Sequence, residues 1–360
     1  MDVLRYRSEL LTWYDANKRD MPWRRTRDPY AILVSEVMLQ QTQVSRVEAY
    51  WTRFLERFPT VEALAAAAED DVCSVWSGLG YYHRARNLGK AAEAIARSGG
   101  DVPGTAELLR ELPGIGAYTA AAVASIAFGE AVPVLDANVV RVLARLLAES
   151  EVVTRAPVRR RLEAAAVELL DPERSGDFNQ AMMELGAVVC SPASPDCGRC
   201  PVGVHCLARS TGNPGEFPVT RGAARTKEMY ETAALVVRRG RVLLTSDPDE
   251  RGWWPGLWRL PRVVSGAGSE GAASRETKLH TLLLDDFGLT CDALVPVTTT
   301  AYGVTTNRVT LDVVSCSSPR GALRRARSIR WFTVGEALSL GVPAADRRIL
   351  ELHGPSLTGQ

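Results

Sequence analysis

Four of the chain's seven cysteines fall between positions 190 and 206, in CSPASPDCGRCPVGVHC, spaced Cys190-x6-Cys197-x2-Cys200-x5-Cys206. Thiolates at such intervals hold metal. A tetrahedral zinc site draws a pair separated by roughly two to four residues at each end, and only Cys197 and Cys200 meet that. A four-iron cluster accepts wider spacings because its irons sit at the corners of a larger object. Spacing alone leaves iron–sulfur, zinc and disulfide chemistry open, in that order. A second candidate is Glu36, set in ILVSEVML among Ile32, Leu33, Val34, Val37, Met38 and Leu39. A carboxyl group buried there has its charged form disfavoured and holds a proton near neutrality, as a general acid requires. Third, LPGIG (112–116) places glycines between two helical segments. They permit a tight turn and leave the N–H groups of Gly114, Gly116 and the following helix end to hold a phosphate, unless the turn is an ordinary helix connection. Asp136 in PVLDANV stands directly before a helix, where it serves as an N-cap on its own account.

The elements that must position these residues divide at about residue 210. Up to that point apolar residues recur every three or four positions, as in ELLTWYDANKR, VEAYWTRFLERF, RRRLEAAAVELL and FNQAMMELGAVVC, which predicts helices throughout. Asp28 and Pro29 mark a helix start ahead of Glu36. The stretch 211–228 is rich in Gly, Pro and small polar residues and reads as a linker. Beyond it the period becomes two: ETAALVVRRGRVLLTS predicts a hairpin turning at Arg239-Gly240, and NRVTLDVVSC another strand. With helices expected at 273–284 and 344–353 and a surface loop at 266–274, residues 229–355 read as an α+β domain. No internal repeat is present.

At 360 residues, 46% hydrophobic and 24% charged, the chain is globular and long enough for two or three domains. No stretch approaches about 18 continuous apolar residues, and the first residues lack a cationic end followed by an apolar core. These features predict a soluble cytoplasmic protein without a signal peptide. Cys73, Cys291 and Cys316 are unpatterned and read as core thiols in a reducing compartment. Net charge is +1, and neither 1–222 (25 Lys/Arg, 28 Asp/Glu) nor 223–360 (18 and 14) is strongly basic. If the protein holds DNA, backbone N–H groups, helix ends and a few arginines must do it.

The ordered motifs SEVMLQQTQV, WSGLGYYHRARNL, LPGIGAYTA, PVLDANVVRVLAR, FNQAMMELGAVVC and the four-cysteine run resemble the adenine DNA glycosylases, the A/G-mismatch branch of the endonuclease III superfamily. The resemblance covers 1–210 strongly and continues loosely to about 350. It implies an all-α helix-hairpin-helix domain with a [4Fe–4S] cluster on Cys190, Cys197, Cys200 and Cys206, then a linker and a Nudix-like recognition domain at 229–355. The implied function is a monofunctional glycosylase that flips adenine out of a mispair with 8-oxoguanine or guanine and hydrolyses its N-glycosidic bond. The implied partner is duplex DNA, met by a monomer in the cytoplasm at the nucleoid, with other repair proteins as further candidates.

Such chemistry needs an acid to protonate the departing base and a carboxylate beside the cationic sugar. By resemblance Glu36 is that acid, Asp136 the sugar-facing carboxylate, and Asn138 a polar partner for the water or the aspartate. Strand-cleaving relatives place a Schiff-base lysine where this chain has Tyr118, which implies the monofunctional branch. Gln41 and Tyr81 match the side chains that fill the gap left by a flipped base. Trp23 and Arg24 match a pocket rim, and Arg84 and Arg86 phosphate or pocket contacts, although either arginine suits a solvated surface equally well.

The match weakens in the second domain. A Nudix hydrolase needs a glutamate-rich helix to hold magnesium, but in EGAASRETKLHTLLLDDFGL Leu279 and His280 stand where paired acids are wanted, so pyrophosphatase activity is not expected. GWWPGLWRLPRV (252–263) resembles the opening of the family's recognition domain. The family's Phe-Ser-His turn falls on Thr306, Asn307 and Arg308 when anchored on Leu311-Asp312. Arg308 has the donors to read a guanine O6/N7 edge. The alternative is the same chemistry with changed opposite-base or target-base specificity, 8-oxoguanine reading having been lost at 306–308.

Overall fold

A computed structural model describes residues 1–222, 226–246, 253–254, 256–266, 271–324 and 329–358. It comprises two compact units: Met1–Ala67 with Arg86–Gly222, and Ala68–Ala85 with Ala223–Gln360. The first is all-α. The second combines a sheet with helices.

Helices of the first unit begin where the sequence supplies caps. Asp2 accepts from the Arg5 N–H, and Asp28 from the Tyr30 N–H with Pro29 at the first helical position. Asp136 likewise opens the helix Ala137–Leu146. Two of the helices are buried nearly all round: Pro29–Leu39 and Ala117–Phe128. A second core joins Val3–Asn17, Ala137–Leu146, Ala156–Leu169 and Ser175–Val188 through Tyr6, Leu10, Leu143, Leu162, Phe178 and Leu185. Among the described residues no helix is long and apolar enough to cross a membrane.

The second unit carries strands β1 (Lys227–Arg238), β2 (Arg241–Thr245), β3 (Arg262–Gly266), β4 (Leu294–Val304), β5 (Asn307–Cys316) and β6 (Ile329–Phe332). Their order is β4-β5-β1-β2-β6, with β3 also pairing β1. The β1–β2 hairpin turns at Arg239 and Gly240, both at positive φ (52° and 73°), the geometry of a type I′ turn. Alternate strand residues face two apolar layers: Leu235, Leu244 and Leu311 pack with Ile349 and Leu350, while Val236, Leu243 and Val314 pack with Leu279 and Leu283. The helices expected at 273–284 and 344–353 are Ala272–Asp285 and Ala344–Thr358. Of the loop expected at 266–274, residues 267–270 lie outside the described residues, as do Gly252 and Pro255 of GWWPGLW.

Two findings depart from the reading of the sequence. The segment 211–222 does not hang free. The buried guanidinium of Arg145 donates to the carbonyls of Pro214 and Phe217, and the Val153 N–H donates to Val219, which fixes the segment to the first unit. Residues 68–85, read as part of the helical region, group with the second unit. Arg347 donates to Ser77 Oγ and Tyr82 to the Val342 carbonyl, polar ties that helical periodicity does not encode.

Candidate active site

Glu36 lies one turn from the end of the helix Pro29–Leu39 and is only 4% exposed. Ile32, Ser35, Glu36 and Leu39 form one stripe of that helix, and Gln180, Met183, Glu184 and Ala187 form the matching stripe of Ser175–Val188. Both stripes have the i, i+3, i+4, i+7 spacing of a single helix face. They line one cavity of about 210 Å³, closed further by Trp23, Arg24, Tyr118, Asp136 and Asn138.

The Tyr118 hydroxyl donates to Glu36 Oε2 at 2.7 Å. Burial raises the Glu36 carboxyl to about 7; the Tyr118 hydrogen bond opposes this and the neighbouring Asp136 charge assists it. Burial and the Glu36 charge push the Tyr118 phenol well above its ordinary range, so it remains a donor. Asp136 accepts from the Val139 N–H at 2.6 Å and from Asn138 Nδ2 at 2.9 Å. Burial pushes its carboxyl up, while those two donors and the helix N-terminus favour the anion. The cavity thus sets a protonated acid near a hydrogen-bonded carboxylate.

Glu184 was not singled out in the sequence. Arg19 grips both of its oxygens (2.7 and 2.8 Å) and Arg24 adds a third side-chain contact at 2.9 Å. Burial alone would raise this carboxyl, but the arginines outweigh it and hold Glu184 at about 2. It is therefore a fixed acceptor, with Arg24 as a fixed donor. The stripe spacing in FNQAMMELGA was the signal available to find it.

Behind Asn138 runs a chain of donors. Arg141 donates to Asn138 Oδ1 (2.8 Å), to the Gly186 carbonyl (2.8 Å) and to the Cys190 carbonyl (2.9 Å). Arg145, 2% exposed, donates to the carbonyls of Cys190, Ser191 and Pro192 and approaches Cys190 Sγ at 3.2 Å. Cys190, Cys197, Cys200 and Cys206 line a second concavity with Arg145 and Arg209. Among the described residues no three His, Cys, Asp or Glu side chains converge closely enough to share one metal ion.

The remaining candidates lie elsewhere. Gly114 has φ +75°, and a Cβ there would meet Asn87 side-chain atoms at 2.4–2.6 Å, so the turn admits only glycine. Gly116 is the N-cap of Ala117–Phe128 and faces open space. Gln41 and Tyr81 are not glycine, yet both hold positive φ (54° and 49°), a conformation such residues seldom adopt. Arg86 is half-buried on the helix His83–Arg97. Arg84 is buried and donates to the Gly80 carbonyl at 3.1 Å, burial lowering its guanidinium to about 10. It faces its own turn. In the second unit Arg308 is exposed beside the β4–β5 turn. Leu279 is fully buried in the core, and the neighbouring Arg275 pairs with Asp312.

Residues 34–166 match the HhH-GPD superfamily of base excision DNA repair proteins, and 232–352 match the NUDIX domain. The chain is 45% identical over 238 residues to the adenine DNA glycosylase of Mycolicibacterium smegmatis, matching 65% of this chain and 78% of that protein. The chain belongs to the adenine DNA glycosylase family. The human adenine DNA glycosylase is 49% identical over 274 residues, 73% of this chain and 50% of its own length. The rat adenine DNA glycosylase is 44% identical over 276 residues. The chain spans about half the length of these mammalian adenine DNA glycosylases. Among solved structures, a thermostable thymine-DNA glycosylase aligns with TM-score 0.54 and 30% identity over 58% of this chain and 97% of that one.

Close packing behind the cavity generates a prediction. A Cβ on Gly186 would lie 2.7 Å from Asn138 Cβ, with rigid helix on both sides. Gly186→Ala should cost about 1–3 kcal/mol of stability, whereas Gly116→Ala, in open space, should cost only the loss of a favoured N-cap residue, about 1 kcal/mol or less. Denaturant midpoints at constant slope measure both.

Proposed function

We propose that the protein is a monofunctional adenine DNA glycosylase acting on adenine opposite 8-oxoguanine or guanine in duplex DNA. The single observation that carries this reading is the buried Glu36 carboxyl, held by Tyr118 in the same cavity as Asp136. The relatives named above are adenine DNA glycosylases, which supports the choice of base.

The cavity has room for one extruded base. Glu184 as acceptor and Arg24 as donor match an adenine edge, which offers an exocyclic amine beside ring-nitrogen acceptors. Glu36 delivers its proton to a ring nitrogen, the C1′–N9 electron pair leaves with the base, and the sugar becomes oxocarbenium-like. Asp136 stabilises that cation, and Asn138, bonded to Asp136, orients the attacking water. Position 118 supplies a phenol and no amine, so an imine with the sugar does not form and the strand stays intact. Gly114 and Gly116 offer backbone N–H groups to a phosphate. Gln41 and Tyr81 fill the duplex beside the flipped base.

Cys190, Cys197, Cys200 and Cys206 suit a [4Fe–4S] cluster. All four line one concavity, and the wide Cys190-x6-Cys197 and Cys200-x5-Cys206 intervals suit a cubane better than a single zinc. When bound, the cluster supplies a rigid, coordinatively saturated staple for the loop. Arg141 and Arg145 join that loop to Asn138.

A second reading keeps the chemistry and changes the opposite base. It rests on the β4–β5 turn and the start of β5, where Thr306, Asn307 and Arg308 offer no aromatic and Arg308 is exposed.

Two measurements test these readings. On duplexes holding A:8-oxoguanine, A:G, A:C, T:G and normal pairs, only purine-opposed adenine should be excised, with strand breakage appearing after alkali and little borohydride trapping. Glu36→Gln should slow single-turnover excision by about 10² or more, and Asp136→Asn should abolish it. Near-wild-type rates in either variant remove that residue from its role. Anaerobically purified protein should contain about four irons per chain and absorb broadly in the visible; stoichiometric zinc without iron would contradict this.

A further inference from the structure

The segment that carries Tyr81 belongs to the second unit, not to the helical unit that surrounds it in sequence. Its turn is unusual. Gly78, Gly80 and Tyr81 all hold positive φ, at 104°, 75° and 49°. A tyrosine does not hold that conformation unless its surroundings over-determine it.

The turn's own side chains fix one side of it. Trp76 Nε1 and Arg84 Nη2 both donate to the Gly80 carbonyl at 3.1 Å, and the Arg84 N–H donates to the Tyr81 carbonyl. The Arg84 guanidinium lies 5.5 Å from the Tyr81 ring centroid. Residues some 260 positions downstream fix the other side. Arg347 Nε donates to Ser77 Oγ at 2.9 Å and its Nη2 to the Leu340 carbonyl at 3.3 Å. Ser77 Oγ lies 3.2 Å from the Tyr82 hydroxyl, which donates to the Val342 carbonyl at 2.8 Å. Donors and acceptors run in one direction, Arg347 to Ser77 to Tyr82 to Val342, and close a ring around the base of the turn. Backbone contact reinforces it: a Cβ on Gly341 would lie 2.7 Å from Cys73 Cβ.

We propose that Arg347 and Tyr82 are positioning residues for Tyr81, so that the Nudix-like unit, through the Arg347–Ser77–Tyr82–Val342 ring, sets how the Tyr81 ring is presented to the base opposite the target. The proposal rests on the reading above that Tyr81 enters the duplex. It gives a physical task to a NUDIX-family unit whose helix lacks paired acids at Leu279 and His280. Opposite-base discrimination then depends on residues that touch no nucleotide, and excision chemistry at Glu36 does not.

The test uses the full chain. Arg347→Met keeps the aliphatic stem and loses both donations, and Tyr82→Phe keeps the ring and loses the hydroxyl. Each is compared with wild type by single-turnover excision of adenine opposite 8-oxoguanine and opposite guanine at fixed salt, and by amide hydrogen exchange over residues 76–84. Both variants should accelerate exchange in 77–82 and reduce discrimination between the duplexes by about fivefold, the worth of one hydrogen bond. In a Tyr81→Ala background they should reduce it no further, because the effect runs through that ring. Unchanged exchange, or an equal loss in the Tyr81→Ala background, overturns the proposal. If Tyr81→Ala itself leaves both rates unchanged, the placement of Tyr81 in the duplex falls and the positioning role falls with it. The exchange data then show separately whether the ring holds the turn.

Discussion

Removing one carboxyl group from water is the constraint around which the first unit is built. Glu36 keeps a proton near neutrality only if its helix is buried on every side, and Pro29–Leu39 is apolar nearly all round for that reason. The cost of the buried carboxyl is limited by one donor, Tyr118. Asp136 sits in the same cavity, and burial raises its carboxyl as well, but two donors and a helix N-terminus oppose that rise where Glu36 has the single Tyr118 hydroxyl. Two carboxyl groups in one cavity thus differ in how many donors face them, the asymmetry on which the proposed division into acid and carboxylate rests.

Arginines hold this arrangement from behind. Arg141 and Arg145 are one turn apart on the helix Ala137–Leu146, and each donates to more than one backbone carbonyl at or beside the cysteine loop. The consequence is mechanical continuity from Asn138 to the cysteine loop. In the second unit Arg262 does similar work, buried between Glu231 and Asp346. Removing one partner of the Arg262 pairs would leave an uncompensated buried charge.

Much of this was legible in the sequence, and the exceptions have physical causes. Helical periodicity and caps located the elements, and Arg239-Gly240 located the hairpin, because these signals are local. Glu36, Tyr118, Asp136, Asn138, Trp23 and Arg24 were named from the sequence and line one cavity. Glu184 was missed because its meaning comes from Arg19 and Arg24, about 160 residues away. Arg141 and Arg145 were not singled out either, because nothing local in NVVRVLAR announces that both turn inward to distant carbonyls. The grouping of 68–85 with the second unit was invisible for the same reason. It depends on Ser77 and Tyr82 meeting Arg347 and Val342, and no local period announces such pairings.

The central claim is that burial makes Glu36 an acid at neutral pH and that Tyr118 sets where it titrates. The direct measurement is the pH dependence of single-turnover adenine excision in wild type and Tyr118→Phe. Excision should hold at lower pH and fall as pH rises through about 7, where Glu36 loses its proton. The Tyr118 hydroxyl stabilises the ionised carboxylate, so its removal raises the Glu36 pKa and should move the falling limb to higher pH. A limb near the ordinary carboxylate range, or one that Tyr118→Phe leaves in place, would contradict the account.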